Sequence, residues 1–135
     1  MDLTKAMFIS AAGMRVQGAR MKVISENLAN ADSISTVPGG DPYRRKVISF
    51  ANELDAKLDT NIVRVKRITT DNTPFDLEFD PGNPAANQQG YVKLPNVNSL
   101  IEVSDMREAQ KTFEANLTVI ESVKAMMART IDLLR

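Results

Sequence analysis

No cysteine and no histidine occur among the 135 residues, and Lys plus Arg equal Asp plus Glu at 17 each. Without Cys there is no disulfide, thiolate metal site or cysteine nucleophile, and without His the commonest general base and transition-metal ligand is missing. A formal net charge of zero supplies no surplus of cations to neutralise phosphates, so neither nucleic acid nor an anionic membrane is an expected partner. The longest apolar stretch near the start, residues 6–14, falls far short of the ~20 residues that span a bilayer, so no direct membrane insertion is expected. Asp2 offsets Lys5, unlike the cationic leader of a cleaved signal peptide. Aromatic residues are scarce at 5%, but a hydrophobic fraction of 43% is ordinary for a folded domain.

What is present is sharply partitioned. All six prolines lie between residues 36 and 98, and all seven methionines lie outside that window. Proline removes a backbone donor and clashes inside helices, whereas Met and Ala suit them. The chain therefore reads as an N-terminal helix in residues 1–35, a β-rich, loop-rich insert in 36–98 and a C-terminal helix in 99–135. Five of the seven aromatic rings, Tyr43, Phe50, Phe75, Phe79 and Tyr91, fall in the insert, where β propensity uses them. The expected class is α+β, with the two terminal helices paired as a coiled coil and a small β-rich insert between them.

In the first segment Met7, Met14, Met21 and Leu28 recur every seven residues, with Leu3, Ser10, Gln17, Ile24 and Ala31 at the intermediate positions. That is a coiled-coil seam with polar interruptions. A second apolar line, Ile9, Ala12, Val16, Ala19 and Val23, runs along the nearly opposite face, about 200° away. The helix is expected to stop between Asn27 and Ser33, with Asn30 suited to a left-handed conformation. In the last segment Val103, Met106, Gln110, Phe113, Leu117, Ile120, Lys124, Met127, Ile131 and Leu134 step by threes and fours, a seam about 45 Å long at ~1.5 Å per residue. Ser99 with Glu102 matches a capping box at its start. In the insert, residues 44–50 and 62–69 read as strands, and Phe75, Leu77 and Phe79 alternate with Asp76, Glu78 and Asp80 as a half-buried strand.

No G-x-S-x-G elbow, S-x-x-K pair or P-loop occurs, so no catalytic, cofactor or metal residue is assigned and no enzyme is expected. Asp76, Glu78 and Asp80 share a strand face, but a calcium loop needs Gly after the third acidic ligand and Glu at the twelfth position. Pro81 and Asn87 stand there instead, which favours a solvated face. Arg44, Arg45 and Lys46, with Arg64, Lys66 and Arg67, form a basic stripe in an insert that carries eight basic and eight acidic residues. A solvated or partner-facing surface fits that balance better than a nucleic-acid groove.

The two helices carry more apolar surface than one hairpin hides. Packing one seam from each leaves Ile9, Val16, Val23, Val119, Val123 and Leu133 in water unless the insert folds over them. Five or six such side chains left exposed forgo on the order of 10 kcal/mol, comparable to a domain's whole stability. The economical expectation is that these faces pack on neighbouring chains, and that loose termini become helical upon assembly. Two other classes remain open. A coiled-coil adaptor would form a closed oligomer, visible by light scattering, and a cation-binding β module would show calcium-dependent melting.

The segment from Ala12 through Gln17, continuing from Arg20 to Ala31, resembles the N-terminal signature of bacterial flagellar rod and hook proteins. Phe113-Glu114-Ala115-Asn116-Leu117, followed by Ile120 and Met126-Met127, is similar to their C-terminal signature. Pro42 to Lys46, Gly82-Asn83-Pro84 and Gly90 to Val97 narrow the likeness to the proximal-rod members. Phe113 stands where those members usually carry Tyr, which keeps the ring and loses a hydroxyl. The resemblance implies a structural subunit of the basal-body rod in the periplasmic space, exported without a cleaved leader, with the terminal helices in an inner tube domain. It implies as partners the rod proteins of the FlgB, FlgF and FlgG types, the rod-base protein FliE, further copies of the chain and the flagellar type III export apparatus, with ring proteins a further candidate. Matched positions place subunit assembly on Met14, Gln17, Met21, Ile24, Asn27, Leu28 and Asn30 in the first helix. In the second they place it on Phe113, Asn116, Leu117, Ile120 and Met127, with Arg44, Arg45 and Lys46 as candidate charged contacts.

Overall fold

The computed structural model describes residues 2–135. In chain order they form helix α1 (Leu3–Ala29), strands β1 (Lys46–Asp55), β2 (Thr60–Thr70), β3 (Asp76–Phe79) and β4 (Tyr91–Leu94), and helix α2 (Ser99–Leu133). The class is α+β, two long terminal helices with a small β insert between them. Asp2 Oδ1 caps α1 by accepting the Thr4 amide at 2.9 Å. The helix ends differently from expectation. Asn30 is not left-handed, since Asp59 is the one non-glycine residue with positive φ among those described. Instead the Asn30 side chain folds back and donates to the Glu26 carbonyl at 2.8 Å, satisfying one of the open carbonyls of the last turn.

The strands pair two by two, β1 with β2 and β3 with β4. Only four residues join β1 to β2, a length that permits antiparallel pairing alone. In that link Asp55 Oδ1 accepts the Lys57 amide at 3.0 Å, and Asp59 takes a φ of 47°, a conformation Asp tolerates better than most residues. The second pair is antiparallel, with Asp76 opposite Leu94, Leu77 opposite Lys93, Glu78 opposite Val92 and Phe79 opposite Tyr91. Here the expected half-buried strand is corrected, because all four β3 residues are exposed. Cross-strand partners share a face, so Asp76 and Glu78 lie on the side of buried Val92 while Leu77 and Phe79 lie on the other. The apolar side points outward.

Two compact units are built from these elements. One joins the chain up to Met21 with Ile48–Arg67 and Arg107–Arg135; the other joins Lys22–Val47 with Ile68–Met106. In the first, α1 and α2 run antiparallel. Arg20 Nη2 meets Glu108 Oε2 at 3.2 Å, and one heptad earlier in α1 a Cβ on Gly13 would lie 2.8 Å from Asn116 Nδ2. Gly costs up to about 1 kcal/mol against Ala inside a helix, and here its missing Cβ is what admits the Asn116 side chain. Ile62 of β2 is buried, as are Ala12 and Val16 of α1, and the three line one side of a cavity. The insert thus does fold over part of the second apolar line. Val16, Val23 and Val123, expected in water, are buried, whereas Ile9, Val119 and Leu133 remain exposed.

The seam of α2 is also one position off at alternate steps. Glu102, Ala109 and Val123 are buried, and Met106, Phe113, Asn116, Ile120 and Met127 are half-buried. Val103, Gln110, Leu117 and Lys124, read as seam residues, are exposed. The helix is rotated so that its small and polar residues face inward. Its start is capped by Asn98, whose Oδ1 accepts the Leu100 amide at 3.1 Å and the Ile101 amide at 3.3 Å, not by Ser99. Glu102, assigned to a capping box by its spacing, is used elsewhere. Asn98→Ala should therefore lower stability by about 1 kcal/mol, as loss of a cap does, while Ser99→Ala should change it by less than about 0.5 kcal/mol. Urea melts of the two variants read the difference directly.

Candidate assembly site

In the second unit, α1, β1 and α2 meet at a buried polar cluster. Asn27, 1% exposed, fills its whole hydrogen-bonding capacity. Its Nδ2 donates to the Lys46 carbonyl at 2.9 Å and to Glu102 Oε2 at 3.2 Å. Its Oδ1 accepts the Lys46 amide and the Tyr43 hydroxyl, each at 2.9 Å. An amide side chain bonded to both groups of one residue stands in for a missing strand, and it holds the first residue of β1 against α1. Glu102, also 1% exposed, accepts the Arg45 Nε–H on its other oxygen. A carboxylate this deep is tolerable only when charge-paired and hydrogen-bonded, and both conditions are met.

The cluster extends outward through backbone groups. The Arg45 amide donates to Asn96 Oδ1 at 2.7 Å, and Asn96 Nδ2 donates to the carbonyls of Asp71 and Thr73, each at 3.1 Å. Arg44 lies 4.2 Å over the Phe75 ring and donates to the Asp71 carbonyl at 3.1 Å. Lys46 Nζ pairs with Glu26 Oε2 at 2.9 Å. Burial works against the Arg45 guanidinium, but the hydrogen bond and charge of Glu102, with the charge of Asp71, outweigh it and hold its pKa above the usual value. The Thr73 hydroxyl and amide hold the Asp71 carboxyl below the ordinary range, and the Lys46 ammonium does the same for Glu26. Burial raises the Tyr43 phenol.

The residues matched to assembly are distributed as follows. Ile24 and Asn27 are buried; Met14, Gln17, Met21, Leu28, Asn30, Phe113, Asn116, Ile120 and Met127 are half-buried, and Leu117 is exposed. Asn27 alone among them enters the polar cluster. Asn116 donates to the Thr112 carbonyl of its own helix at 3.0 Å. Gln17 Oε1 is buried with no hydrogen-bond partner among the described residues. Arg44, Arg45 and Lys46 have their charges engaged within the chain, at Phe75 and carbonyls, at Glu102 and Asp71, and at Glu26 respectively. Glu102, read from the sequence only as a cap, and Tyr43, Asn96, Asp71 and Gly13 were given no place in the site by the sequence. For Glu102 a signal exists: it stands one heptad before Ala109 and four residues before Met106, on the inward line.

The first unit carries a cavity of about 520 Å³. Phe8, Ala12 and Val16 of α1 line it together with Leu58 and with Ile62, Val63 and Val65 of β2, and the charged groups of Arg15, Asp55, Lys57 and Arg64 stand around it. No cluster of three or more potential metal ligands occurs among the described residues, and none of their helices is long and apolar enough to cross a membrane.

Paired terminal helices, a β insert and apolar residues left outside the intrachain seam describe an assembling subunit, and comparison with known proteins says of what kind. Residues 88–133 match the family model described as "Flagellar basal body rod FlgEFG protein C-terminal", the class of flagellar rod proteins. The chain is 49% identical over 133 residues to the flagellar basal-body rod protein FlgC of Agrobacterium fabrum, covering 98% of this chain and 96% of that one. It is 37% identical to FlgC of Salmonella typhimurium over 98% of both chains, and 35% identical to FlgC of Bacillus subtilis over 93% of both. The chain belongs to the FlgC family of flagellar basal-body rod proteins, a family of structural subunits and not of enzymes.

Arg45→Met, which strands the Glu102 carboxylate, should cost about 3 to 5 kcal/mol, and adding Glu102→Met should recover more than half of that loss. Chemical melts of the single and double variants provide the cycle. The pH dependence has a defined sign. Glu26 and Asp71 bind protons less readily when folded than at their ordinary values of 4.5 and 3.8. Their contribution to stability is complete above those values and is lost as pH falls through the lower folded ones. The melting temperature should hold down to about pH 5 and decline below about pH 4, and Glu26→Gln should make that decline shallower.

Proposed function

We propose that the chain is a subunit of the proximal rod, assembled through its terminal helices onto neighbouring rod subunits. The observation that carries this reading is the apolar surface that the intrachain seam leaves over. Leu117, Val119, Met126, Ile131 and Leu133 are exposed along α2, Leu133 by 87%, and Leu134 just after it is exposed too. Each is worth about 1.5 to 3 kcal/mol when buried. In this reading residues 1–35 and 99–135 form the inner tube domain and 36–98 lie outside it. The half-buried methionine seam of α1 faces one neighbour and the outer face of α2 another. Two different faces per subunit make a heterologous contact, which propagates into a helical tube instead of closing.

The partners are rod proteins of the FlgB, FlgF and FlgG types, the rod-base protein FliE and the type III export apparatus, which delivers the chain to the periplasmic rod without a cleaved leader. Beyond Met127 every residue of α2 is exposed, so little among the described residues packs against that end. Helical segments without packing are marginal in water, which supports ends that loosen for export and firm up on assembly.

Ile24, buried in the chain itself, is unsuitable as a probe, because an Asp there disturbs folding and assembly alike. The test is Leu117→Asp with Leu133→Asp, both at exposed positions. In a flagellated host lacking its own copy, the double variant should be exported, should melt within about 0.5 kcal/mol of the parent, and should be missing from purified basal bodies, leaving cells non-motile. Circular dichroism of the dilute chain should show helicity below that of the assembled form. Normal swimming would refute the assignment of these faces.

A further inference from the structure

β3 is an edge strand turned inside out. Leu77 and Phe79 are 60% and 64% exposed, on the face away from buried Val92, and Asp76 and Glu78 carry no ion pair among the described residues. One edge of β3 and one edge of β2 have no strand against them among the described residues. Charged edges ordinarily keep strands from pairing with other molecules. Each of the four strands has one such unpaired edge among the described residues, and those of β2 and β3 are opposite in sign. Residues 75–80 hold three acidic groups and no basic one, whereas residues 63–67 hold three basic groups and no acidic one. Of the three, Arg64 also pairs with Glu53 and Asp55 of its own chain, each at 3.4 Å, and Lys66 and Arg67 have no ion pair among the described residues. Two β3 edges repel each other, and so do two β2 edges. Between these two edges only the unlike combination is attractive, and discrimination of that kind comes as much from the repelled pairings as from the favoured one.

We propose, on the rod-subunit reading above, that β3 of one copy of this chain adds to the free edge of β2 of the next, antiparallel, with Asp76 opposite Lys66, Leu77 opposite Val65, Glu78 opposite Arg64 and Phe79 opposite Val63. Side chains alternate across a strand, so this register puts both ion pairs on one face and both apolar pairs on the other. A shift by one residue sets Asp76 against an apolar or a differently phased partner and loses the match. The contact uses different surfaces on the two copies, which is the head-to-tail type that builds filaments.

The chain has no cysteine, so crosslinking is free of background. A chain carrying both Leu77→Cys and Val65→Cys, oxidised in purified basal bodies, should give dimers and higher multimers of itself, and each single variant should give none. For the charges, Lys66→Glu alone and Asp76→Lys alone should each reduce recovery in basal bodies about fivefold, and the two together in one chain should restore it to within about twofold. Crosslinking of Leu77→Cys to a different protein, or charge variants that assemble like the parent, would overturn the proposal while leaving the rod reading intact, since the parent chain is then present in the basal body. Absence of the parent chain itself from that structure removes both.

Discussion

Asn27 is the group on which the remaining arrangement depends. A buried side chain with two donors and two acceptors has four demands, and all four are met by Lys46, Tyr43 and Glu102. Those bonds fix where the chain re-enters regular structure after the loop that follows α1. They also orient the carboxylate that Arg45 neutralises. Asp or Leu at position 27 would each leave partners unsatisfied, Asp by losing donors and adding charge beside Glu102, Leu by losing everything. A hydrophobic side chain fills space in several ways, whereas this amide is satisfied in one, which is how a polar cluster selects a single arrangement.

The helix pairing obeys a related constraint. Gly13 and Ala109 are small, and Asn116 tucks against the space left by Gly13, so the helices approach over residues that contribute little apolar area. Specificity is placed inside and apolar area outside. In a protein that works alone that distribution would be unfavourable, because large exposed apolar patches mark interaction sites or aggregation. In a subunit of a rod it fits the proposal that exposed Leu117, Val119 and Met126 meet neighbours.

Much of this is legible in the residues. The confinement of proline to the middle and methionine to the ends gives the helix, insert, helix order, and β-branched and aromatic runs locate the strands near their observed bounds. The rotation of α2 is not legible from hydrophobicity, because the inward line includes Glu102 and Asn116 and the outward one includes Val103 and Leu117. A carboxylate counts as surface until its partners are known, and Arg45 lies 57 residues away in sequence. Capping fails for the same reason: a spacing that suits Ser99 with Glu102 is overridden once Glu102 has a buried task. Strand β3 misleads in the opposite sense, its clean alternation read as inward-facing when the register with β4 turns Leu77 and Phe79 to solvent.

These departures share a cause. Pattern reading assumes that a chain hides its apolar residues within itself, whereas strand β3 and the outer line of α2 place apolar residues outside, with polar or small ones such as Glu102 and Ala109 inside. For a molecule whose final environment is other subunits, the relevant burial is that of the assembly. The fold of the subunit must then be secured by interactions that do not compete with assembly for the same apolar surface, and a saturated amide, a paired carboxylate and a glycine contact meet that requirement. Folding and polymerisation draw on different groups, so the part of a subunit around the polar cluster can hold one conformation before it has met its neighbours, while the apolar area of the helix ends stays available for them.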